Sequence, residues 1–221
     1  TATITVTVDD GQSLNNSVSR TFTATVSAVN DAPQLAAIGN VSLSEDAGAQ
    51  TVSLSGIGTG AANESQTLTV TATSSNTGLV PNPSVTYVSP NTTGSLNFTP
   101  VANTNGSATI TVTVNDGQAQ NNTFSRTFTV TVSAVNDAPT LASIGNLTLI
   151  EDAGAQTVSL SGIGTGAANE SQTLTVTATS GNPSVVPNPT VNYTSPNATG
   201  SLNFTPVSNA SGSATITVKV N

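Results

Sequence analysis

The sequence lacks several residue types on which most enzymes and metalloproteins depend. Its 221 residues include no cysteine, histidine, methionine or tryptophan, and only three lysines or arginines. Without cysteine the chain has no disulfides and no thiolate chemistry. Without histidine it lacks the commonest general base and transition-metal ligand. These absences exclude most nucleophilic triads and zinc sites. The sequence therefore gives almost no support for an enzymatic function.

The charge balance argues against a second group of functions. Eleven acidic residues against three basic ones give a formal net charge of -8. Binding to the phosphates of nucleic acid needs lysine and arginine. No apolar run approaches the roughly 20 residues of a membrane helix. We therefore expect no nucleic-acid partner and no membrane span in this segment.

What the sequence does contain is a repeat with an offset of 106 residues. The stretch AVNDAP begins at Ala28 and again at Ala134, and a run of 30 residues beginning EDAGAQTVSL recurs at the same offset. A period of this length is close to the usual domain size. The phase of the repeat predicts three segments: strands F and G of a preceding repeat at 1–29, a complete repeat at 30–135, and a repeat lacking its last strand at 136–221.

Alternation with a period of two predicts β-strands throughout the chain. In TATITVTV, at 1–8, apolar residues fall on one face and threonines on the other, as in a half-buried strand. Clusters of Gly, Asn, Pro and Asp between such runs favour turns, and no stretch predicts a helix. In the complete repeat we predict seven strands, A to G, at 34–44 with a break at Gly39-Asn40, 50–57, 67–75, 84–88, 95–101, 107–114 and 123–135. This pattern is typical of an all-β, seven-strand immunoglobulin-like sandwich.

The phase of the repeat leaves two interpretations of the whole molecule open. In the first, the chain is a window on a longer array of tandem sandwiches. In the second, the strands at 1–29 complete the open sandwich of another copy, so that subunits polymerise by strand complementation. Both interpretations make copies of the same repeat the main partners and predict a fibre-like object.

The acidic residues recur in loops and linkers, and the sandwich topology should bring them together between domains. One junction should collect Glu45 and Asp46 from one domain, Asn136 and Asp137 from the linker, and Glu170 from the next domain. A hard cation that takes six to eight oxygens would relieve the repulsion among these carboxylates, so we predict calcium there. The candidate metal ligands are Asn30, Asp31, Glu45, Asp46, Glu64, Asp116, Asn136, Asp137, Glu151, Asp152 and Glu170.

Ordinary turn chemistry is the competing explanation for the same residues. An Asp before Pro can form an Asx-turn, and NDGQ at 115–118 is typical of a hairpin turn. The glycine-rich GIGTGAANE at 56–64 lacks the lysine of a phosphate loop, so we interpret it as a plain loop. Arg20 and Arg126 occupy equivalent positions, and each should pair with a local carboxylate or carbonyl.

The run VNDAP … EDAGAQTVSLSGI … NESQTLTVTATS … TGSLNFTPV … GSATITVTVNDG resembles the bacterial Ig-like and cadherin-like tandem repeats of very large surface and secreted proteins. The resemblance implies an extracellular or cell-surface location, an adhesin-like or fibre-forming role, and calcium at domain junctions. The linker is also similar to the cadherin segment Asp-x-Asn-Asp-Asn-x-Pro. Asn136 and Asp137 match that segment, whereas Ala134 replaces its first Asp and one Asn is missing.

The sequence therefore favours a structural protein, in which tandem sandwiches form an extracellular stalk or filament without catalysis. The alternative is a cell-surface binding module whose Thr- and Asn-rich faces recognise a glycan, a receptor or a solid surface. An exposed aromatic platform would favour binding, but aromatic residues make up only 3% of the chain.

Overall fold

The computed structural model describes all 221 residues, which form strands and loops without a helix. No segment qualifies as a helix able to cross a membrane. The strands are β1 (Ala2–Asp9), β2 (Ser17–Ala24), β3 (Val41–Ser44), β4 (Gln50–Ser55), β5 (Thr69–Ser74), β6 (Ser84–Thr86), β7 (Thr93–Phe98), β8 (Gly106–Asn115), β9 (Thr123–Ser133), β10 (Gln156–Ser161), β11 (Val176–Ser180), β12 (Thr190–Asn192), β13 (Thr199–Phe204) and β14 (Ile216–Val220).

Strands β3 to β9 form a sandwich of two sheets. One sheet has the order β3-β9-β8-β5 and the other the order β4-β7-β6. Neighbouring strands are antiparallel, except that β3 runs parallel to β9. The all-β, seven-strand immunoglobulin-like fold that the sequence predicts is confirmed.

The predicted strand A divides at the break that the sequence contains. Its first half lies beside the segment that follows β4, where Gln34 and Gly58 form an isolated antiparallel bridge. Its second half is β3, which crosses to the other sheet and places Val41 beside Val130 of β9. The side chain of Asn40 holds the crossing in place, because its Oδ1 accepts a backbone N–H of β9 at 2.9 Å.

The core of this sandwich lies between the two sheets and is built from alternate positions of each strand. Ile110, Val112 and Val114 of β8 are buried, as are Phe128 and Val130 of β9. Fifteen buried residues form a single cluster. Because the chain has no disulfide, burial of this aliphatic surface, worth about 25 cal/mol per Å², carries the stability.

Strands β10 to β14 form a second and smaller sandwich. Its sheets have the orders β10-β13-β12 and β11-β14, and only four buried residues form its core cluster. The second half of strand A does not form in this copy, since residues 141–150 belong to no strand. In the first sandwich β9 holds β3 in the sheet. The second sandwich has no strand equivalent to β9, so 147–150 has nothing to pair with.

Strands β1 and β2 form an isolated antiparallel hairpin. Ala2 lies opposite Ala24 and Asp9 lies opposite Ser17, which is the register of β8 and β9 after the repeat offset. Every residue of both strands is exposed. The hairpin therefore has the structure of a β8–β9 pair without a sandwich beneath it.

The two equivalent arginines bond to carbonyls rather than to carboxylates. Arg126 donates from Nε to the Leu35 carbonyl oxygen at 3.2 Å, and its guanidinium lies 4.9 Å from the centre of the Phe124 ring. Arg20 in the free hairpin donates to the carbonyl oxygen of the neighbouring Ser19 at 3.1 Å. The hydrogen bond that joins Arg126 of β9 to Leu35 thus has no counterpart in the hairpin.

Candidate functional site

The acidic candidates converge most closely at the junction between the two sandwiches. The turn after β3 carries Glu45 and Asp46, the linker at 134–139 carries Asp137, and the loop after β10 carries Glu170. Hydrogen bonds and charge interactions connect all three segments. The junction is therefore a contact among the first sandwich, the linker and the second sandwich.

Glu45 is the residue that ties these segments together. Only 4% of its surface is exposed. Its Oε1 accepts the backbone N–H of Val135 in the linker at 2.6 Å. Its Oε2 accepts Nδ2 of Asn169 in the second sandwich at 2.6 Å. Hydrogen bonds to an ionised acceptor are stronger than neutral ones, so this carboxylate fixes both the linker and the next domain.

Asp137 and Glu170 form the other half of the junction. The backbone N–H of Asp137 donates to Oε1 of Glu170 at 2.8 Å. One carboxylate oxygen of each residue, Oδ2 of Asp137 and Oε2 of Glu170, is buried without a hydrogen-bond partner. Partial burial raises the pKa of Asp137 above its ordinary value, and the carboxylates of Asp46, Glu170 and Glu45 raise it further. The junction thus holds negative charge that its own side chains do not neutralise.

Asp46 has a local structural role, and the equivalent Asp152 has the same role in the second sandwich. Its φ angle is 61°, in the left-handed region, and its Oδ1 accepts the backbone N–H of Asn103 at 2.9 Å. Asp152 in the second sandwich has a φ angle of 60° and accepts the N–H of Asn209 at the same distance. Each Asp therefore anchors a neighbouring loop, which agrees with ordinary turn chemistry at these two positions.

The opposite end of the first sandwich brings together four of the predicted residues. The N–H of Asp31 donates to Oε1 of Glu64 at 2.8 Å, and Oε2 of Glu64 is a buried atom without a partner. Asn30 donates from Nδ2 to Oδ2 of Asp116 at 2.9 Å and accepts Nε2 of Gln66 at 2.7 Å. Oδ1 of the buried Asp116 also accepts the N–H two residues along the chain, as in an Asx-turn.

The remaining predicted residues repeat parts of these arrangements. Asn136 accepts Nε2 of Gln172 at 2.8 Å, as Asn30 does from Gln66. Glu151 occupies the position of Glu45 in the second sandwich but is exposed. The structure therefore contains one assembled junction, made of Glu45, Asp46, Asn136, Asp137, Asn169 and Glu170. It also contains two half-junctions, one with Asn30, Asp31, Glu64 and Asp116, and the other with Glu151 and Asp152.

The assembled junction is not a preformed metal cage. No three Asp or Glu side chains in the structure lie close enough together to hold a metal ion. It offers two carboxylate oxygens without partners, at Asp137 and Glu170, and further negative charge nearby. Carboxylate oxygens are the ligands that calcium prefers, but an ion would have to draw these side chains closer together.

Asn169 is the junction residue that sequence reasoning missed. Besides Glu45, its Nδ2 lies 3.3 Å from Oδ1 of Asn105 in the first sandwich. The chain is rich in asparagine, so composition gives no signal for this position. The only available signal is that Asn169 precedes Glu170, the glutamate already assigned to this end of the domain.

Several solved structures are similar to the chain at low identity. Titin domains z1z2 in complex with telethonin have 11% identity and a TM-score of 0.36, covering 86% of this chain and 95% of that one. The S-layer protein SbsC domains 4 and 5 have 21% identity and a TM-score of 0.32, with coverages of 54% and 60%. The Ig1-2 module of the Drosophila receptor protein tyrosine phosphatase DLAR has 12% identity and a TM-score of 0.33, with coverages of 80% and 84%. TM-scores this low support no conclusion about this chain.

A comparison with protein-family models gives a more specific likeness. No curated protein matches the sequence. The family model described as bacterial Ig domain, however, matches residues 30–133, which span the first half of strand A through β9. That range coincides with the complete sandwich. The complete sandwich of this chain is therefore similar to a bacterial Ig domain.

Proposed function

We propose that the chain is a structural segment of an extracellular bacterial stalk or fibre, in which Ig domains follow one another through a stiff junction. The observation that carries the proposal is the bridging position of Glu45. A buried carboxylate of one sandwich accepts hydrogen bonds from both the linker and the next sandwich. A stalk needs such a fixed angle between domains in order to remain extended.

Several features of the linker favour stiffness. The N–H of Val135 is held by a carboxylate of the first sandwich and the N–H of Asp137 by a carboxylate of the second. Pro139 fixes its own φ angle and restricts Ala138 to extended conformations. Little of the backbone between the two domains is left free to rotate.

Calcium at this junction is part of the proposal. Asp137 and Glu170 would supply the first ligands, because each has a buried oxygen without a partner. Glu45 and Asp46 would add negative charge nearby, in accordance with the raised pKa of Asp137. We expect a modest affinity, with a dissociation constant on the order of 10⁻⁴–10⁻³ M, as in extracellular calcium modules.

Calcium binding is tested by isothermal calorimetry on the full chain and on two variants, Asp137→Asn and Asp31→Asn. The two aspartates occupy equivalent positions, but only Asp137 faces a preceding sandwich. We expect binding to the unaltered chain and to Asp31→Asn, with at least a tenfold loss in Asp137→Asn. If the unaltered chain shows no heat of binding at millimolar calcium, the junction is held by turn and hydrogen-bond chemistry alone.

The stiff junction is tested separately by limited proteolysis with elastase, which cleaves after small apolar residues. The sequence AVNDAP occurs at 28–33, without a preceding sandwich, and at 134–139, inside the assembled junction. We expect cleavage at the first copy well before cleavage at the second, because protected backbone must open locally before a protease can cleave it. Equal cleavage rates in the two copies would contradict a stiff junction.

A further inference from the structure

The chain enters and leaves the complete sandwich at opposite ends. Its entry, at 28–33, lies beside the turn between β8 and β9, because Asn30 donates from Nδ2 to Oδ2 of Asp116 at 2.9 Å. Its exit, at 134–139, follows β9 directly and lies beside the turn after β3, where Glu45 binds the linker. Tension along a row of such domains would therefore pull the first strand towards one end and β9 towards the other.

The two strands that would take this load are parallel neighbours. Val41 of β3 lies opposite Val130 of β9, and the pairing continues residue by residue to Ser44 and Ser133. The hydrogen bonds of a parallel pair are evenly spaced along the strands. Pulling the two strands from opposite ends slides one along the other and loads these bonds together. Pulling both strands from the same end would instead open the ladder one bond at a time.

Side chains lengthen this short ladder at both of its ends. Before β3, Oδ1 of Asn40 accepts the Thr129 N–H at 2.9 Å. After β3, the Glu45 N–H donates to the Ser133 carbonyl oxygen at 2.8 Å. Oε1 of Glu45 then accepts the Val135 N–H at 2.6 Å. The contact with β9 and its continuation therefore extends well beyond the four residues of β3 itself.

The part of the chain that precedes β3 is held as well. The Leu35 carbonyl oxygen accepts Nε of Arg126 in β9 at 3.2 Å, and the Leu35 side chain is buried in the core. On the opposite sheet, the Ala36 N–H donates to the Ser55 carbonyl oxygen at 2.9 Å. Both halves of the first strand are therefore hydrogen-bonded to residues of β9, and a pull at the entry reaches all of these contacts.

We propose that the ladder between β3 and β9, lengthened by Asn40 and Glu45, is a mechanical clamp that keeps the sandwich folded under tension. Forced unfolding is governed by the rate of unfolding, and bonds that must break together make that rate low. Glu45 also joins the clamp to the junction, because its Oε2 accepts Nδ2 of Asn169. The tension comes from the proposed stalk, on which the clamp's role rests, whereas the strength of the clamp is a property of a single sandwich.

The test pulls the full chain in two directions with optical tweezers, through handles on pairs of introduced cysteines in a sequence that has no others. Handles at Ala28→Cys and Ala138→Cys, which are exposed linker positions, follow the natural path of the chain and slide β3 along β9. Handles at Ala28→Cys and Ala119→Cys pull both strands from the same end, because the exposed Ala119 lies in the turn before β9. We expect the first direction to need a force at least about twofold higher at the same loading rate.

Three variants identify the bonds that carry the force. Val41→Pro removes an N–H that faces β9, because N–H groups at alternate positions of a strand point to the same side and that of Glu45 faces Ser133. Ser42→Pro is the matched control, since its N–H faces away from the sheet at the edge strand β3, where proline is tolerated. Asn40→Ala removes one side-chain extension of the ladder. Circular dichroism verifies that each variant folds.

We expect Val41→Pro to lose most of the difference between the two directions, Asn40→Ala to lose part of it, and Ser42→Pro to retain it. Val41 also packs against the core, so every variant is pulled both ways: loss of the clamp lowers the force in the first direction selectively, whereas general destabilisation lowers both. Equal forces in the two directions, or equal effects of Val41→Pro and Ser42→Pro, would overturn the clamp. Such a result would leave the stiff junction standing, because proteolysis of the two AVNDAP copies tests that separately.

Discussion

The two sandwiches are nearly the same sequence in two different states of completion. Residues 30–115 and 136–221 agree at most positions, yet the first has a core cluster of fifteen buried residues and the second a cluster of four. The missing neighbour of β14 accounts for this difference. Burial is set by the strand that packs next to a residue as much as by the residue itself.

The same contrast applies to equivalent acidic residues at the same end of the two sandwiches. Glu45 is buried because a linker and a second sandwich meet it, whereas its equivalent Glu151 is exposed. The repeat thus supplies a matched control for almost every residue of the junction and the core.

The largest difference is expected from Ile110→Ala and Ile216→Ala. Ile110 is fully buried in the complete sandwich, so its truncation leaves a cavity and should lower the free energy of unfolding by about 2–5 kcal/mol. Ile216 is partly exposed, so its truncation should cost less, on the order of 1 kcal/mol. Urea unfolding of the two variants and the unaltered chain, followed by circular dichroism, measures both. Equal losses would mean that Ile216 is packed as closely as Ile110 in solution.

A smaller difference is expected from Glu45→Ala and Glu151→Ala. Loss of the Glu45 carboxylate leaves the Val135 N–H and Asn169 Nδ2 without their acceptor, which should cost about 1–3 kcal/mol of local stability. Hydrogen exchange of the Val135 amide reports that loss directly. The exposed Glu151 makes no such contact, so Glu151→Ala should leave the exchange of every linker amide unchanged. Rapid exchange of Val135 in the unaltered chain would contradict the contact.

The smallest expected effect is a pH dependence that arises from Asp137. Its pKa is raised in the folded state, so the folded chain binds this proton more tightly than the unfolded chain. In the absence of calcium, the contribution of Asp137 to stability should therefore increase as pH falls from neutral towards about 4. Calcium, which needs the ionised carboxylate, should bind more weakly over the same interval.

Thermal melting of the metal-free chain at a series of pH values measures this effect. Asp137→Asn should make the junction less dependent on pH, and the equivalent change Asp31→Asn should not. If both variants follow the pH profile of the unaltered chain, the carboxylates of the junction do not interact strongly enough to matter.

Most of the fold could be predicted from the sequence because period-two alternation and turn residues are local signals. All seven strands of the complete repeat were predicted, with ends displaced by a few residues. The split of strand A follows from Gly39-Asn40, but the parallel pairing of β3 with β9 depends on a contact far along the chain. The equivalent strand does not form in the second copy, because its stability depends on that same long-range contact.

The site was predictable only where topology determines it. The end of the sandwich at which each loop lies follows from strand order, and this brought Glu45, Asp137 and Glu170 to one junction. Asn169 could not be found, because its role depends on a side-chain direction across the domain boundary. Calcium at the junction stays a prediction, since the carboxylates converge without forming a cage.

The most direct test of a stiff junction is the distribution of distances between spin labels on the two sandwiches. Thr71→Cys and Thr177→Cys place labels at equivalent exposed positions of β5 and β11, in a chain without other cysteines and diluted with unlabelled chain. We predict one narrow distribution, which Glu45→Ala broadens and Glu151→Ala does not. A broad distribution in the otherwise unaltered chain, unaffected by Glu45→Ala, would show that the sandwiches move independently and would contradict the account.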